Sequence, residues 1–190
     1  MRKLFLTIIL AVATVVTANA QLYVGAGYSY SPTKAKAEGV KTSFDRNGFY
    51  LQAGYGINIT KHIGIVPGVE YEVVTKSSDG VKTPEQYFNI PVKVTYGFSL
   101  GKIVELGAFI APELSLGLSS KVKDDGESVS AYGDGSIYKR GDFRFGIGAY
   151  CDLLEKFRIN LNYNAGIIDR DKSDSKIHRN GVQLGIAYLF

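Results

Sequence analysis

The residues able to do chemistry are few and scattered. Two histidines occur, His62 and His178. Ser173, Asp174 and Ser175 precede His178 closely. Together they supply the residue types of a hydrolytic site: a hydroxyl nucleophile, an imidazole base and a carboxylate to orient it. All four sit in one polar stretch, without the separate strand positions that would hold such a set in place. A zinc site built on both histidines needs the two rings at one point, and the elements described below put them at opposite ends. Lys123-Asp124-Asp125-Gly126-Glu127 and Asp169-Arg170-Asp171-Lys172-Ser173-Asp174 have the composition of calcium loops. Neither completes an EF-hand spacing, so both read as solvated loops. The expectation is no catalytic residue, no metal ligand, no cofactor and no enzyme.

A third set of charges is more regular. Glu70, Glu72, Glu105 and Glu113, with Lys93, Arg144 and Arg158, fall on alternate positions of otherwise apolar segments. Mixed signs at close quarters suit internal pairing better than a one-sign ion filter. The expectation is a structural charge network, with a selectivity or small-ligand site as the alternative. Asp142, Asp152 and Arg179 are expected nearer the ends of their segments. Glu113 and Arg144 lie on neighbouring segments and form the first expected pair.

These charges are positioned by period-2 alternation, which runs through the chain from residue 22. Eight segments of about ten residues emerge, the length of a tilted membrane strand. They run over 22–30, 49–59, 63–74, 87–98, 104–116, 142–153, 157–167 and 179–190. In the second segment Phe49, Leu51, Ala53, Tyr55, Ile57 and Ile59 alternate with Tyr50, Gln52, Gly54, Gly56 and Asn58. None of the eight apolar faces carries a charge; the opposite faces carry Gly, Asn, Gln, Glu, Lys and Arg. A soluble lipocalin-like barrel shows the same alternation with its apolar side inward, so the pattern alone does not say which face is inside.

Three features favour apolar side chains outward. Glycines recur on the polar faces, as in Gly54/Gly56 and Gly146/Gly148, and suit the cramped lumen of an eight-stranded barrel. Aromatics collect at the segment ends, with Tyr30, Phe49, Tyr71, Phe88 and Phe143 at one rim. Tyr96, Phe98, Phe157, Tyr188 and Phe190 stand at the other, as interfacial girdles require. Connections alternate in length: 32–47, 75–85, 119–141 and 169–178 are long, whereas 60–62, 99–102 and 154–156 are short. That rhythm belongs to an up-and-down barrel with both termini in the periplasm. The predicted fold is all-β, an eight-stranded antiparallel up-and-down transmembrane β-barrel.

The N-terminus agrees. Arg2 and Lys3 precede the apolar run Leu4 to Val16, followed by Ala18-Asn19-Ala20. This is a secretory signal peptide with cleavage between Ala20 and Gln21, read through the small residues Ala18 and Ala20. Residues 1–20 are the signal peptide and 21–190 the barrel domain. The run is too short for a comfortable spanning helix, which needs about 20 apolar residues. Of 22 basic residues, two lie in the leader, leaving 20 against 18 acidic ones. No basic run interleaves with aromatics, so a nucleic-acid partner is not expected. The single cysteine, Cys151, excludes an internal disulfide framework.

Tyr87-Phe88-Asn89-Ile90-Pro91-Val92-Lys93-Val94-Thr95-Tyr96 resembles a pattern of the porin-like outer-membrane β-barrel family common in Bacteroidetes: an aromatic, an Ile-Pro pair, an apolar stretch and a Tyr. Gly25-Ala26-Gly27-Tyr28 and the closing Gly185-Ile186-Ala187-Tyr188-Leu189-Phe190 fit as well. OmpA-type and OmpX-type small barrels are more distantly similar, by strand count. The resemblance implies that Tyr188 and Phe190 form the signal read by the barrel-assembly machinery. It also implies outer-membrane lipids and lipopolysaccharide as surroundings, in the envelope of a Gram-negative cell. The expected role is structural or surface-interacting, with a lumen plugged by charged side chains and a monomeric state. A narrow porin, a small-ligand-binding barrel, a lipid-modifying enzyme and a soluble lipocalin-like binder are the alternatives. The motifs name no external partner.

Overall fold

The computed structural model describes residues 20–37, 40–78, 81–101, 103–124, 127–130, 140–168 and 176–190. Residues 1–19, with Arg2, Lys3 and Ala18, lie outside the described residues, as do Asp125, Gly126 and the stretch 169–175 with Ser173, Asp174 and Ser175. Ala20 and Gln21 begin the first strand.

Ten strands form one sheet among the described residues. They are β1 (Ala20–Ala37), β2 (Val40–Asn58), β3 (Ile63–Ser78), β4 (Val81–Leu100), β5 (Val104–Asp124), β6 (Glu127–Ser130), β7 (Gly141–Leu153), β8 (Phe157–Gly166), β9 (Lys176–Arg179) and β10 (Gly181–Leu189). Eight of them close a barrel in the order β1-β2-β3-β4-β5-β7-β8-β10, all neighbours antiparallel. β10 returns to β1 in register from Tyr23↔Leu189 to Tyr30↔Val182. Phe190 N–H donates to the Leu22 carbonyl at 2.8 Å, completing the seam.

Burial alternates along the barrel strands, and the faces are the predicted ones. Leu184, Ile186 and Tyr188 are exposed, while Gln183, Gly185 and Ala187 between them are buried. Ile147, Ile186 and Phe190 are 59%, 68% and 69% exposed, within a continuous belt of large apolar side chains. No soluble surface carries such a belt, because its contact with water is unfavourable in proportion to area. Phe157, Tyr188 and Phe190 pack edge to face at one rim, with centroids 5.5 and 4.9 Å apart. The short turns fall at 59–62, at Gly101 and at 154–156. Leu154 and Glu155 both have φ of 56°, the left-handed pair that a two-residue hairpin needs.

Three of the long connections differ from expectation. Much of 32–47, 75–85 and 119–141 is strand, not loop. β1 and β2 stay paired up to Ala37↔Val40, β3 and β4 up to Ser78↔Val81, and β5 turns back on β6 at Asp124↔Glu127. β9 adds to the other edge of β1, from Thr33↔Arg179 to Lys36↔Lys176. Above the membrane the outward face needs no apolar residues, so the hydrophobic alternation that marks a strand disappears while backbone pairing continues.

The ladder is interrupted on both sides of the Ile-Pro segment. No pairs bridge Gly68 and Val69 with Ile90 and Pro91, nor Val92 and Lys93 with Ala111 and Pro112. Proline has no N–H to donate, which accounts for gaps beside Pro91 and Pro112.

Lumen aromatics lie against bare backbone. A Cβ on Gly107 would collide with the Tyr150 ring, and one on Gly27 or Gly185 with Tyr50. A Gly107→Ala exchange is mild only where the lumen is loose, and here it is full. It is expected to destabilise the barrel by about 1–3 kcal/mol through overpacking. Ile147→Arg puts a charge on the lipid face, at about 2–4 kcal/mol near the midplane. Unfolding by urea in lipid vesicles measures both. An Ile147→Arg variant that inserts with native stability would mean the faces are reversed. For orientation, cysteines placed at Thr42 and Lys82 are expected to react with an impermeant reagent on intact cells, and one at Thr60 to stay unlabelled. The opposite labelling would invert the topology.

Candidate functional site

The lumen holds nearly all the buried polar side chains, and they are layered. The densest layer lies in the half toward the long hairpins. Glu70 and Glu72 come from β3, Asn89 from β4, Glu113 and Ser115 from β5, Arg144 from β7, and Arg179 and Gln183 from β9 and β10. All are at most 4% exposed. Each sits there because alternation turns its position inward, at the level where register sets it opposite its partner.

Glu113 and Arg144 are direct cross-strand partners. Arg144 Nε–H donates to Glu113 Oε1 at 2.7 Å, and its Nη2 ion-pairs with the same carboxylate. Arg144 Nη2 also reaches Glu72 Oε2 at 3.4 Å across the lumen. Glu72 is the hub. It ion-pairs with Arg179 and accepts from Ser29 Oγ–H at 2.5 Å and Asn89 Nδ2–H at 3.2 Å. Glu70 is held by amides, accepting from Asn89 Nδ2–H at 2.9 Å and Gln183 Nε2–H at 2.8 Å. Ser115 donates to Asn89 Oδ1 at 2.6 Å and accepts from Arg179 Nη1–H at 3.1 Å. Asn162 and Asn164 both donate to Gln183 Oε1. The layer therefore crosses the full width of the barrel.

Arg179, which the sequence places near a rim, is instead 1% exposed, ion-paired to Glu72 and stacked 3.5 Å from the Tyr87 ring centroid. β9 carries it over the lumen by pairing with β1, which strand spacing alone does not reveal. Asp142 also proves buried, at 5% exposed. Above this layer Arg46 pairs with Glu85 at 3.2 Å, and Tyr87 O–H donates to the same carboxylate. Both charges come from segments that read as loops.

The remaining predicted charges stand apart, toward the short turns. Lys93 meets no carboxylate among its described contacts. It donates to Gln52 Oε1 at 3.1 Å and lies 5.6 and 5.2 Å from the Tyr23 and Phe109 ring centroids. Aromatic faces are attractive to a desolvated ammonium. Arg158 forks onto Asp152 with two bonds of 2.7 Å and stacks 4.1 Å from the Tyr150 centroid. Glu105 accepts from Tyr150 O–H at 2.9 Å and lines two clefts at the turn end of the barrel. The seven charges thus divide between one cross-lumen network, Lys93 among its aromatic neighbours, and the pair Glu105 and Arg158, which share Tyr150.

Nothing among the described residues has the geometry of a reaction centre. His62 stacks on Tyr96 in the first short turn, with ring centroids 6.0 Å apart. His178 lies on β9, at the other end of the barrel. No group of three metal-ligating side chains occurs among the described residues. Tyr188 and Phe190 lie on the lipid face of the closing strand, and Cys151 is a half-buried free thiol.

Removing one member of a buried network leaves its partner charged and dry, typically at about 3–5 kcal/mol, whereas removing both is much cheaper. Arg144→Ala is expected to cost that much, since Glu113 loses the cation it faces across the strand pair. Arg144→Leu combined with Glu113→Leu is expected to recover most of the loss. The urea midpoint of the lipid-embedded barrel measures both, and equal midpoints for the single and double variants would mean that the pair is not coupled.

The geometry agrees with what comparison with known proteins finds. A family profile described as outer membrane protein beta-barrel domain matches residues 6–85 and 68–190. No curated protein sequence matches significantly. Among solved structures, Ail, the attachment invasion locus protein of Yersinia pestis, is 17% identical with a TM-score of 0.53, covering 90% of this chain and 99% of its own. Neisserial surface protein A is 14% identical, with a TM-score of 0.54 and coverage of 89% and 97%. A major outer membrane protein from Thermus thermophilus is 14% identical, with a TM-score of 0.50 and coverage of 90% and 99%. At these identities the likeness is one of fold. With a closed eight-stranded barrel, an apolar outer belt and a family match over nearly its whole length, the chain belongs to the outer-membrane β-barrel domain family of bacterial outer-membrane proteins.

Proposed function

We infer that this protein is a sealed barrel that displays its long hairpins at the cell surface, and that it neither conducts ions at a high rate nor catalyses a reaction. The observation that carries this reading is the layer centred on Glu72, which ties β1, β3, β4, β7 and β9 together across the lumen. Every member is dry, so an ion has no aqueous path past it without breaking charge-assisted bonds. An eight-stranded barrel has little interior beyond its own side chains. The lumen then serves as a rigid core, and strands continuing beyond the membrane make the hairpins firm platforms for contact.

Export through a leader cleaved between Ala20 and Gln21, insertion by the barrel-assembly machinery reading Tyr188 and Phe190, and a monomeric state complete the proposal. The non-enzymatic part rests on the distance between the two histidines and on lumen carboxylates that are already engaged by guanidinium and amide groups of the barrel itself. Planar-bilayer recording of the purified, refolded chain tests the seal: no large steady conductance is expected. Reproducible wide, ion-selective channels would reject it in favour of a porin.

A further inference from the structure

We propose that the cleft at the short-turn end of the lumen binds a small zwitterion of dipeptide size or less through its α-ammonium group. This rests on the sealed-lumen reading, which makes the cleft a blind pocket at the periplasmic mouth and not the entrance of a channel. The cleft has a volume of about 330 Å³, and its walls include Asn58, Lys61, Thr95, Glu105 and Tyr150. Small-molecule pockets span about 300–1,000 Å³, so this one suits a ligand at the small end of that range. Its acid is Glu105. The neighbouring Asp152 is taken by Arg158 through two bonds of 2.7 Å. Glu105 has no cation within ion-pair distance among the described residues. Its Oε1 accepts from Tyr150 O–H at 2.9 Å, and its Oε2 has only a long contact of 3.5 Å with Ser99 Oγ.

Thr95 is an independent pointer to a ligand. It is 8% exposed and lines the cleft, and its hydroxyl has no hydrogen-bond partner among the described residues. A polar group held in such a place without a partner is costly, and a donor entering the cleft removes that cost. Missing side chains make the space in front of it. A Cβ on Gly64 would stand 2.9 Å from Thr95 Oγ1 and 3.3 Å from Asn58 Oδ1, and one on Gly97 would collide with Tyr150 Oη and Glu105 Oε1. Bare backbone on β3 and β4 thus leaves oxygens of Asn58, Thr95 and Glu105 lining one cleft. Three acceptors match the three N–H donors of a primary ammonium. Calcium suits the site poorly, because it takes about six to eight oxygens, several of them from carboxylates. Lys61, in the exposed turn that borders the cleft, supplies a charge for the ligand's carboxylate. Two residues deeper than Thr95 on the same face of β4 stands Lys93, bonded to Gln52. Its charge opposes movement of an ammonium further into the lumen.

The test uses the full chain folded in zwitterionic micelles, with folding of each variant verified by heat-modifiable mobility. Alanyl-alanine is titrated in and the backbone amide resonances are followed. Saturable shifts are expected at Gly64 and Gly97, and none at Gly181 near the hairpin end. N-acetyl-alanyl-alanine, which lacks the ammonium, is expected to bind at least about tenfold more weakly, the loss of one charge-assisted hydrogen bond. Glu105→Gln keeps an acceptor for Tyr150 and is expected to reproduce that loss. Thr95→Val is expected to weaken binding about threefold. Lys61→Gln is expected to weaken alanyl-alanine about threefold and to leave alanyl-alanine amide, which lacks the carboxylate, unaffected. Equal binding of the N-acetyl peptide would overturn the site, as would native affinity in Glu105→Gln or shifts absent from Gly64 and Gly97. Calcium chloride that gave the same shifts and displaced the peptide would also overturn it, because the occupant would then be a metal ion. Passage of alanyl-alanine through proteoliposomes in a swelling assay would sink the sealed-lumen reading and the blind pocket with it. An impermeable barrel that binds no dipeptide sinks this site alone.

Discussion

Lipid offers a peptide group no hydrogen-bond partner, and every other feature of this chain follows from satisfying its backbone internally. A sheet in that solvent cannot keep an edge, so β10 must find β1. The closing contact is made at the last residue, where the Phe190 amide meets the Leu22 carbonyl. Closure fixes which side of each strand is enclosed. One face must then be apolar for the membrane, and the other must fill a space too narrow for ordinary core residues.

The lumen solves that packing problem in two ways. Toward the short turns, large rings lie on glycine backbone, Tyr150 over Gly107 and Tyr50 over Gly27 and Gly185, with Lys93 among Tyr23, Phe109 and Gln52. Toward the hairpins, the space is filled by ions and amides. A charge there is tolerable because opposite charges and side-chain amides replace the water it gave up. Glu72 shows the principle most fully, with two guanidiniums, a hydroxyl and an amide around one carboxylate. Such a network specifies register, since a slip of one residue would turn every member out into lipid. The thinned ladder beside Pro91 and Pro112 lies close to this layer in sequence, next to Asn89 and Glu113. Contacts inside the lumen join the strands close to where backbone pairing is interrupted.

Beyond the membrane the same strands continue under different rules. Water satisfies exposed backbone groups there, and the outward face no longer has to be apolar. Backbone pairing runs on without interruption, from Ser31↔Arg46 to Ala37↔Val40. The protein thus reaches into the polar outer zone on a continuation of its own sheet, which limits the conformational entropy lost in any contact made there.

Strand number, face assignment and barrel class were legible in the sequence, because a bilayer imposes a strict period of two and a limited length on every crossing segment. Charge-free apolar faces such as Val182, Leu184, Ile186 and Tyr188 carry that signal without help from partners. The inward position of Glu70, Glu72, Glu113 and Arg144 followed from the same parity. The hairpin extensions were not legible, since outside lipid the constraint that writes the pattern is lifted while the pairing persists. Nor were the partnerships, apart from Glu113 with Arg144. Whether an inward charge meets a counter-charge, an amide or an aromatic face depends on register between strands and on which residues share a level across the lumen. Those are distances between segments far apart in the chain. Arg179 over Tyr87 and Lys93 beside Gln52 were decided only when the sheet closed.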